Sequence, residues 1–254
     1  MRKKKSLIGL AFVVLALILL CLSVFLPWYS VHIKAESSGY FTDMNMEHDY
    51  YAYFNHWEVV TENNGNTNED MDKYDDGSDI KGVFGLTRIL TVIAIIATIL
   101  GVVGLILLRD GKLDKKIVSF IIIVAFIFSL LAPLYLMTSL PGALENQNVN
   151  YAGTGDEITE KFFGSDEASS DFYEYQSDTK VRWGGDLSWF LVIAAAALNG
   201  IGAVTAFMMR EPEETGYQQM DQEYGGEERT PPPPPGQEQG YNTDVDDDQG
   251  MIKP

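Results

Sequence analysis

Carboxylates are the side chains of this chain whose clustering could support chemistry. Hard cations such as Ca²⁺ take about six to eight oxygen ligands, and an acidic flexible loop can supply them. The segment 61–79 concentrates the candidates, which are Asp70, Asp72, Asp75, Asp76 and Asp79. An EF-hand that began at Asp72 would place Tyr74 at its third position and Val83 at its twelfth, where oxygen ligands are required. We therefore predict no established metal site and keep these five aspartates as a candidate cation-binding loop.

Histidine and cysteine offer little further chemistry. The three histidines, His32, His48 and His56, lie in one acidic segment without the close spacing of zinc ligands. The only cysteine, Cys21, lies within an apolar run. Zinc-protease, serine-hydrolase and phosphate-binding loop motifs do not occur in the sequence. We predict that the protein is not an enzyme and has no catalytic residues and no cofactor.

Long apolar segments predict the elements that position these residues. Hydrophobic residues make up 46% of the 254-residue chain, whose formal net charge is −18. A helix needs about 20 apolar residues to cross a bilayer. Four uncharged segments reach that length: 6–26, 89–108, 117–140 and 187–209. The first also resembles a signal peptide, but its apolar run exceeds the usual 7–15 residues, which favours an uncleaved anchor over cleavage.

Basic residues near the ends of these segments predict their orientation, because Lys and Arg are retained on the cytoplasmic side. The basic N-terminus and first span occupy 1–26, and the further spans are predicted at 89–108, 117–140 and 187–209. Two acidic loops, 27–88 and 141–186, are predicted to be extracellular. The basic loop 109–116 and the tail 210–254 are predicted to be cytoplasmic. Low hydrophobicity and a run of five prolines predict that the tail is disordered and binds cytosolic proteins. We expect a multi-pass protein of the cell membrane with both termini in the cytoplasm.

Alternating residues in the two outer loops predict strands. Polar and apolar side chains alternate over 29–35 and 173–183, and aromatic and β-branched residues dominate 50–60. Strands from both loops are expected to form one small antiparallel sheet, with 61–79 as a loop. The predicted fold class is an all-α membrane protein, a four-helix transmembrane bundle with a small extracellular antiparallel β-sheet.

Small residues in the last span predict close helix packing. They recur at helical spacing together with one amide, and the candidates are Ala195, Ala196, Asn199, Gly200 and Ala203. An unpaired amide is costly in hydrocarbon, so Asn199 is expected to hydrogen-bond a neighbouring helix. Aromatic residues at the span ends are expected to anchor the chain at the membrane interface; they are Trp28, Tyr29, Trp183 and Trp189.

This layout resembles the claudin and peripheral-myelin-protein superfamily. The likeness rests on topology, on a strand at 28–35 that directly follows the first span, and on Trp57 in the first loop. The family's Gly-Leu-Trp followed by two cysteines is missing: "HWEVV" stands in its place, so the resemblance does not imply a tight-junction function. The segment "RWGGDLSWF" at 182–190 also looks like uncharacterised archaeal or bacterial four-span proteins.

These observations predict a non-enzymatic membrane protein that acts in structure, adhesion or scaffolding through its extracellular sheet. The alternative is a cation-responsive accessory subunit or sensor of a channel or transporter. The expected partners are the lipid bilayer, a second copy of the chain or another membrane protein. Nucleic acid is not expected to bind.

Overall fold

The computed structural model describes residues 2–38, 44–146, 155–172 and 175–209. The helices are α1 (Arg2–Ser23), α2 (Asp79–Arg109), α3 (Lys115–Asn146), α4 (Gly155–Glu160) and α5 (Leu187–Phe207). The strands are β1 (Tyr29–Ser38), β2 (Met44–Ala52), β3 (His56–Asn63), β4 (Asn66–Lys73), β5 (Gly164–Phe172) and β6 (Tyr175–Gly185). The predicted tail at 210–254 lies outside the described residues.

The predicted fold class is wrong. Six strands form one antiparallel sheet that is as much a part of the fold as the helices, so the chain is α+β rather than all-α. Within the described residues, three helices rather than four are long and apolar enough to cross a membrane, namely α2, α3 and α5. In α1 the qualifying apolar stretch is the shorter Leu7–Ser23.

Strands from the two halves of the chain pair within one sheet. The strand order is β4-β3-β2-β1-β6-β5, and every neighbouring pair is antiparallel. In the β1–β6 pair, Val31 of β1 lies opposite Trp183 of β6. The sheet therefore joins the segment before α2 to the segment before α5, which are the two predicted outer loops whose strands were expected to form one sheet.

Residues 61–73 form a hairpin rather than the predicted loop. Asn64 (φ 48°) and Gly65 (φ 82°) both adopt positive φ between β3 and β4. Two such residues make the turn whose twist matches a two-residue hairpin, and Asn-Gly is its preferred sequence. The exposed strand β4 is therefore held by this turn and its ladder to β3 rather than by burial of its side chains.

Helices α2 and α3 extend beyond the predicted spans. Helix α2 begins at Asp79 rather than at 89, with Ser78 as its N-cap, and α3 continues past Pro141 to Asn146. With 31 residues α2 is about 46 Å long, whereas the hydrocarbon core of a bilayer is about 30 Å thick. The amide of Asn146 donates to Asp79 Oδ2 (2.8 Å) and links the two extended ends.

The extended ends pack against one face of the sheet. This apolar face carries Val31 and Ile33 of β1 and Val181 of β6, which belong to one buried cluster with Phe84 of α2 and Leu140 of α3. Burying such side chains contributes about 1.5–3 kcal/mol each to stability. The opposite face is polar and turns away from the helices; in β1 it presents Ser30, His32, Lys34 and Glu36.

The junction between sheet and helices is built around Trp28. Its side chain is fully buried, and its indole N–H donates to the Ser23 carbonyl (2.9 Å). The Ser188 backbone N–H donates to the Pro27 carbonyl (3.0 Å), and the Ser188 hydroxyl lies 2.7 Å from the Leu26 carbonyl. These bonds satisfy carbonyls left unpaired where α1 ends. They join the start of β1 to the start of α5 without a flexible linker.

Candidate functional site

Two rows of charged side chains cross the polar face of the sheet. In the first row Lys34 and Lys180 lie opposite each other on β1 and β6. Their ammonium groups pair outward, Lys34 with Glu47 (3.3 Å) and Lys180 with Glu167 (3.4 Å). The hydrogen bonds that the Lys34 ammonium donates to the Glu36 and Glu47 carboxylates raise the pKa of Lys34. Within this row the two inner strands β1 and β6 are therefore basic and the strands beside them are acidic, while Glu36, 3.0 Å from Lys34, continues the charge pattern along β1.

The second row has a different charge balance. His32 lies opposite Asp49 of β2 on one side and Arg182 of β6 on the other. The His32 Nδ1–H donates to Asp49 Oδ1 (2.8 Å). Arg182 has Ser165 as its other cross-strand neighbour, and within the described part of the chain it has no ion-pair or hydrogen-bond partner. Among the residues that the structure describes, Arg182 is therefore a permanent positive charge on this face without a carboxylate partner.

A cleft of about 440 Å³ lies at the foot of the polar face, where β1 and β6 approach α5. This volume is within the range of small-molecule sites, about 300–1,000 Å³. Its lining includes the polar side chains of His32 and Arg182, called here the polar wall, and the aromatic side chains of Phe163 and Phe190, called the aromatic wall. Phe163 and Phe190 are 42% and 53% exposed, so apolar surface and the Arg182 guanidinium line the same cleft.

Glycines allow aromatic rings to lie directly on the strand ends at this cleft. A Cβ at Gly184 (φ 157°) would lie 2.3 Å from Phe163 Cδ1. A Cβ at Gly164 would lie 2.2 Å from Trp183 Cζ2. Carbon atoms cannot approach so closely, so both positions need glycine. The indole N–H of Trp183 donates to the Lys161 carbonyl (2.9 Å), which holds this ring in place.

Ser30, His32 and Asp49 have the residue types of a hydrolase triad. Catalysis of that kind needs a serine hydroxyl hydrogen-bonded to the histidine that an acid orients. Asp49 does bond His32, but within the described residues no hydrogen bond joins Ser30 to His32. Ser30 is also buried, near the start of β1, rather than displayed on a turn. The arrangement lacks the nucleophile–base contact that acyl transfer requires.

Two tyrosines beside this row stay protonated to high pH. Burial and the nearby Asp49 carboxylate raise the pKa of Tyr51. Burial, followed by a 2.8 Å hydrogen bond to Glu58 Oε2, raises the pKa of Tyr53 to about 12. Neither phenol therefore adds negative charge to the polar face at neutral pH.

The five candidate cation ligands do not converge. Asp70 and Asp72 lie on β4, Asp75 and Asp76 lie in the following turn, and Asp79 begins α2. The carboxylate of Asp76 pairs with Lys81, which lowers its pKa, and Asp79 accepts from Asn146. Across residues 2–38, 44–146, 155–172 and 175–209, no group of three or more acidic, histidine or cysteine side chains is placed to hold a metal ion.

The histidines are likewise separate. His48 points to the apolar side of β2, with Nδ1 3.0 Å from Thr61 Oγ1, and His56 Nδ1 lies 2.9 Å from the side-chain oxygen of Asn55. His32 is on the other face. Each histidine has a different neighbour, and the three rings share no common ligand position.

The predicted packing residues lie inside the helical region. Ala195, Ala196, Asn199 and Ala203 are buried, whereas Gly200 is half-buried. The Asn199 amide lies 3.2 Å from Thr98 Oγ1 of α2 and 3.4 Å from Ser129 Oγ of α3. Pattern reasoning missed Gly202, where a Cβ would lie 2.4 Å from Val13 of α1. Its two-residue offset from Gly200 puts it on another side of the helix, toward α1.

The predicted interface anchors lie mainly within the protein. Trp28, Tyr29 and Trp183 are buried, and Trp189 is half-buried, with its indole N–H donating to the Pro133 carbonyl (3.1 Å). Phe163 and Phe190 are instead the exposed aromatic side chains beside the cleft. Arg182, which the sequence pattern did not single out, is the cation of the cleft that has no carboxylate partner among the described residues. Its charge within the alternating run 173–183 was visible, but its neighbours depend on the strand register.

The comparisons with known proteins assign no family. The sequence matches no protein-family model, and a search of curated proteins gave no significant match. The resemblance to the claudin superfamily stays a prediction.

Proposed function

We propose that this protein is a non-enzymatic, membrane-anchored recognition protein whose polar sheet face binds a partner, in an adhesive or scaffolding role. The observation that carries the proposal is the ordered charge pattern of the lysine row on that face, in which Lys34 and Lys180 lie side by side and their acidic partners Glu47 and Glu167 lie on the flanking strands. Complementary charge patterns select partners and speed their encounter. A partner with acidic groups opposite the two lysines would fit this face.

Rigid attachment supports the same role. Buried Trp28 and the hydrogen bonds made by Ser188 join the sheet to α1 and α5. Phe84 and Leu140 pack against the apolar face of the sheet. A rigidly held surface loses little conformational entropy when it binds. The acidic edge strands β4 and β5 disfavour binding by strand addition, because charged edges resist pairing with another chain.

The proposed location is the cell membrane, with the sheet outside and both termini in the cytoplasm; this orientation requires α1 to cross the bilayer together with the three helices that are long and apolar enough to do so. The sheet packs at one end of α2 and α3, whereas Arg109, Lys112 and Lys116 lie at the other end, in or beside the turn between them. Basic residues next to spans are retained in the cytoplasm, which directs the sheet to the opposite side.

Site-specific crosslinking in native membranes tests the proposal. A photoreactive residue at Asp178 probes the polar face, and one at Asp70, exposed on the opposite face of β4, is the matched control. We expect an adduct from position 178 alone and its loss in the double variant Lys34→Glu/Lys180→Glu. Two differently tagged copies distinguish self-association from a different partner. Adducts that survive the double charge reversal, or equal adducts from both positions, contradict the proposal.

The alternative function, cation sensing, has no comparable observation in its favour. The five aspartates that suggested it do not converge, and Asp76 and Asp79 already have partners in Lys81 and Asn146. If calcium or magnesium altered the thermal stability of the full chain, the sensor function would replace recognition as the leading proposal.

A further inference from the structure

The cleft at the foot of the polar face combines two chemical characters. Arg182 offers a planar guanidinium that can bind two oxygens of a phosphate at once. Beside it, the His32 Nδ1–H is committed to Asp49, which leaves Nε2 free to contact a ligand. Phe163 and Phe190 supply exposed apolar surface on the other wall. A ligand that fits both walls is anionic at one end and apolar at the other.

The charge of Arg182 has a specific significance in this chain. The formal net charge is −18, and the neighbouring cations Lys34 and Lys180 both have carboxylate partners. Arg182 has none within the described residues, because the position opposite it on β5 is Ser165. An uncompensated guanidinium beside a cleft is available to an external anion.

The position of the cleft indicates where that anion comes from. Phe190 lies in the first turn of α5, which is one of the three helices long and apolar enough to cross a membrane. Exposed aromatic residues at the ends of such helices lie at the level of lipid headgroups. The cleft therefore opens where the sheet meets the membrane surface, and Leu187, which is half exposed, continues its apolar side along α5.

We propose that this cleft binds the phosphate-bearing headgroup of an anionic phospholipid. Arg182 contacts the phosphate oxygens, His32 contacts the polar headgroup, and the acyl chains pass Phe163 and Phe190 on their way to the bilayer. The volume of about 440 Å³ suits a headgroup and the first carbons of its chains rather than a whole lipid. The site is distinct from the lysine row of the recognition proposal, so each can fail without the other.

Lipid titration of the purified full chain in detergent, followed by native mass spectrometry, tests this site. The probes are phosphatidylglycerol, phosphatidylcholine and soluble glycerol phosphate. We expect phosphatidylglycerol to bind about ten-fold more tightly than phosphatidylcholine, since a hydrogen-bonded charged group is worth roughly that factor. Arg182→Gln should abolish the preference. Lys180→Gln removes the same charge from the same face of β6, two residues away and outside the cleft, and should leave the preference intact.

Each outcome bears on the proposal. Equal loss in the two variants would indicate general surface electrostatics and would overturn the site, as would equal binding of the two lipids. If glycerol phosphate binds as tightly as phosphatidylglycerol, the lipid assignment is wrong. Phe190→Ser separates the two walls: it should weaken phosphatidylglycerol binding several-fold without reducing whatever binding glycerol phosphate shows. Unchanged thermal unfolding of Arg182→Gln, whose side chain is exposed, verifies that the fold is intact.

Discussion

Replacing Gly202 with alanine probes the closest contact between α1 and α5. The new Cβ would lie 2.4 Å from Val13 Cγ2, whereas carbon atoms pack best at about 3.5–4.0 Å. Val13 is fully buried and β-branched, so it has essentially one rotamer available in a helix. The side chain cannot rotate away. The two helices must therefore separate by about 1 Å to admit the methyl group.

The loss of stability in Gly202→Ala follows from that displacement of the helices. Overpacking a well-packed core costs about 1–3 kcal/mol, while alanine regains up to about 1 kcal/mol of helix propensity. Gly200→Ala is the matched control, because its Cβ would lie 3.4 Å from Phe126 Cδ2, an ordinary contact, on the same helix. Both variants gain the same propensity. The difference between them, about 1–3 kcal/mol, isolates the steric conflict with Val13.

Thermal unfolding of both variants in the same detergent measures this difference. For a chain of this size each kcal/mol shifts Tm by about 2–4 °C. We expect Gly202→Ala to unfold below the parent protein and Gly200→Ala to unfold at the same temperature or above it. Equal Tm values for the two variants would refute the close approach of α1 to α5.

Three further predictions concern the sheet, the helix interior and pH. Gly164→Ala should destabilise the protein by about 1–3 kcal/mol, because its Cβ would lie 2.2 Å from the Trp183 ring; protease resistance of the sheet checks this. Asn199→Ala should cost about 1 kcal/mol in denaturant unfolding, near the value of one interhelical hydrogen bond in a membrane, and Asn199→Leu should recover none of it if the bond is what matters. The folded-state pKa of Tyr53 is raised, so the stability it contributes is complete below pH 10 and is lost as pH rises toward about 12. Difference absorbance against Tyr53→Phe should show no ionisation of this phenol up to about pH 11, and Glu58→Gln should lower its pKa; ionisation near pH 10 in the parent protein would contradict its burial.

Alternation along the chain was enough to predict the central strands but not the size of the sheet. Period-two patterns at 29–35 and 173–183 correspond to β1 and β6, where one face is buried and the other is solvated. Strand β4 has no such pattern because all of its residues are exposed. The only sequence signal for this strand is the Asn64–Gly65 pair, which is typical of a hairpin turn. The fold class was therefore predicted as all-α, since a strand without a buried face leaves no hydrophobic period.

Helix length was underestimated for a related reason. Counting apolar residues began the second span only at 89, because Asp79, Lys81 and Arg88 interrupt the apolar run before it. Outside the bilayer core a helix can carry charge on its exposed side, and α2 buries Val83 and Phe84 on its other side against the sheet. The length of an apolar run indicates how much of a helix lies within the bilayer core, and it does not show where the helix ends.

The candidate cleft could not be predicted from one sequence. It depends on Arg182 lying beside His32, and that juxtaposition comes from the register between strands about 150 residues apart in the chain. The glycines at 164 and 184 were equally uninformative, because their role is to accommodate aromatic rings from other segments, Trp183 of β6 and Phe163 just before β5. Local sequence patterns predict individual helices and strands, whereas the cleft is formed by residues from several strands and a helix.

Cysteine labelling in intact cells most directly tests the central claim, that the membrane anchors this sheet with its polar face outside. Cys21 is the only cysteine, so Cys21→Ser provides a background without reactive thiols. Glu36→Cys then reports on the exposed polar face and Lys112→Cys on the turn between α2 and α3. We predict that a membrane-impermeant maleimide labels position 36 in intact cells and position 112 only after permeabilisation. Labelling of position 112 in intact cells, with position 36 protected, would contradict the claim.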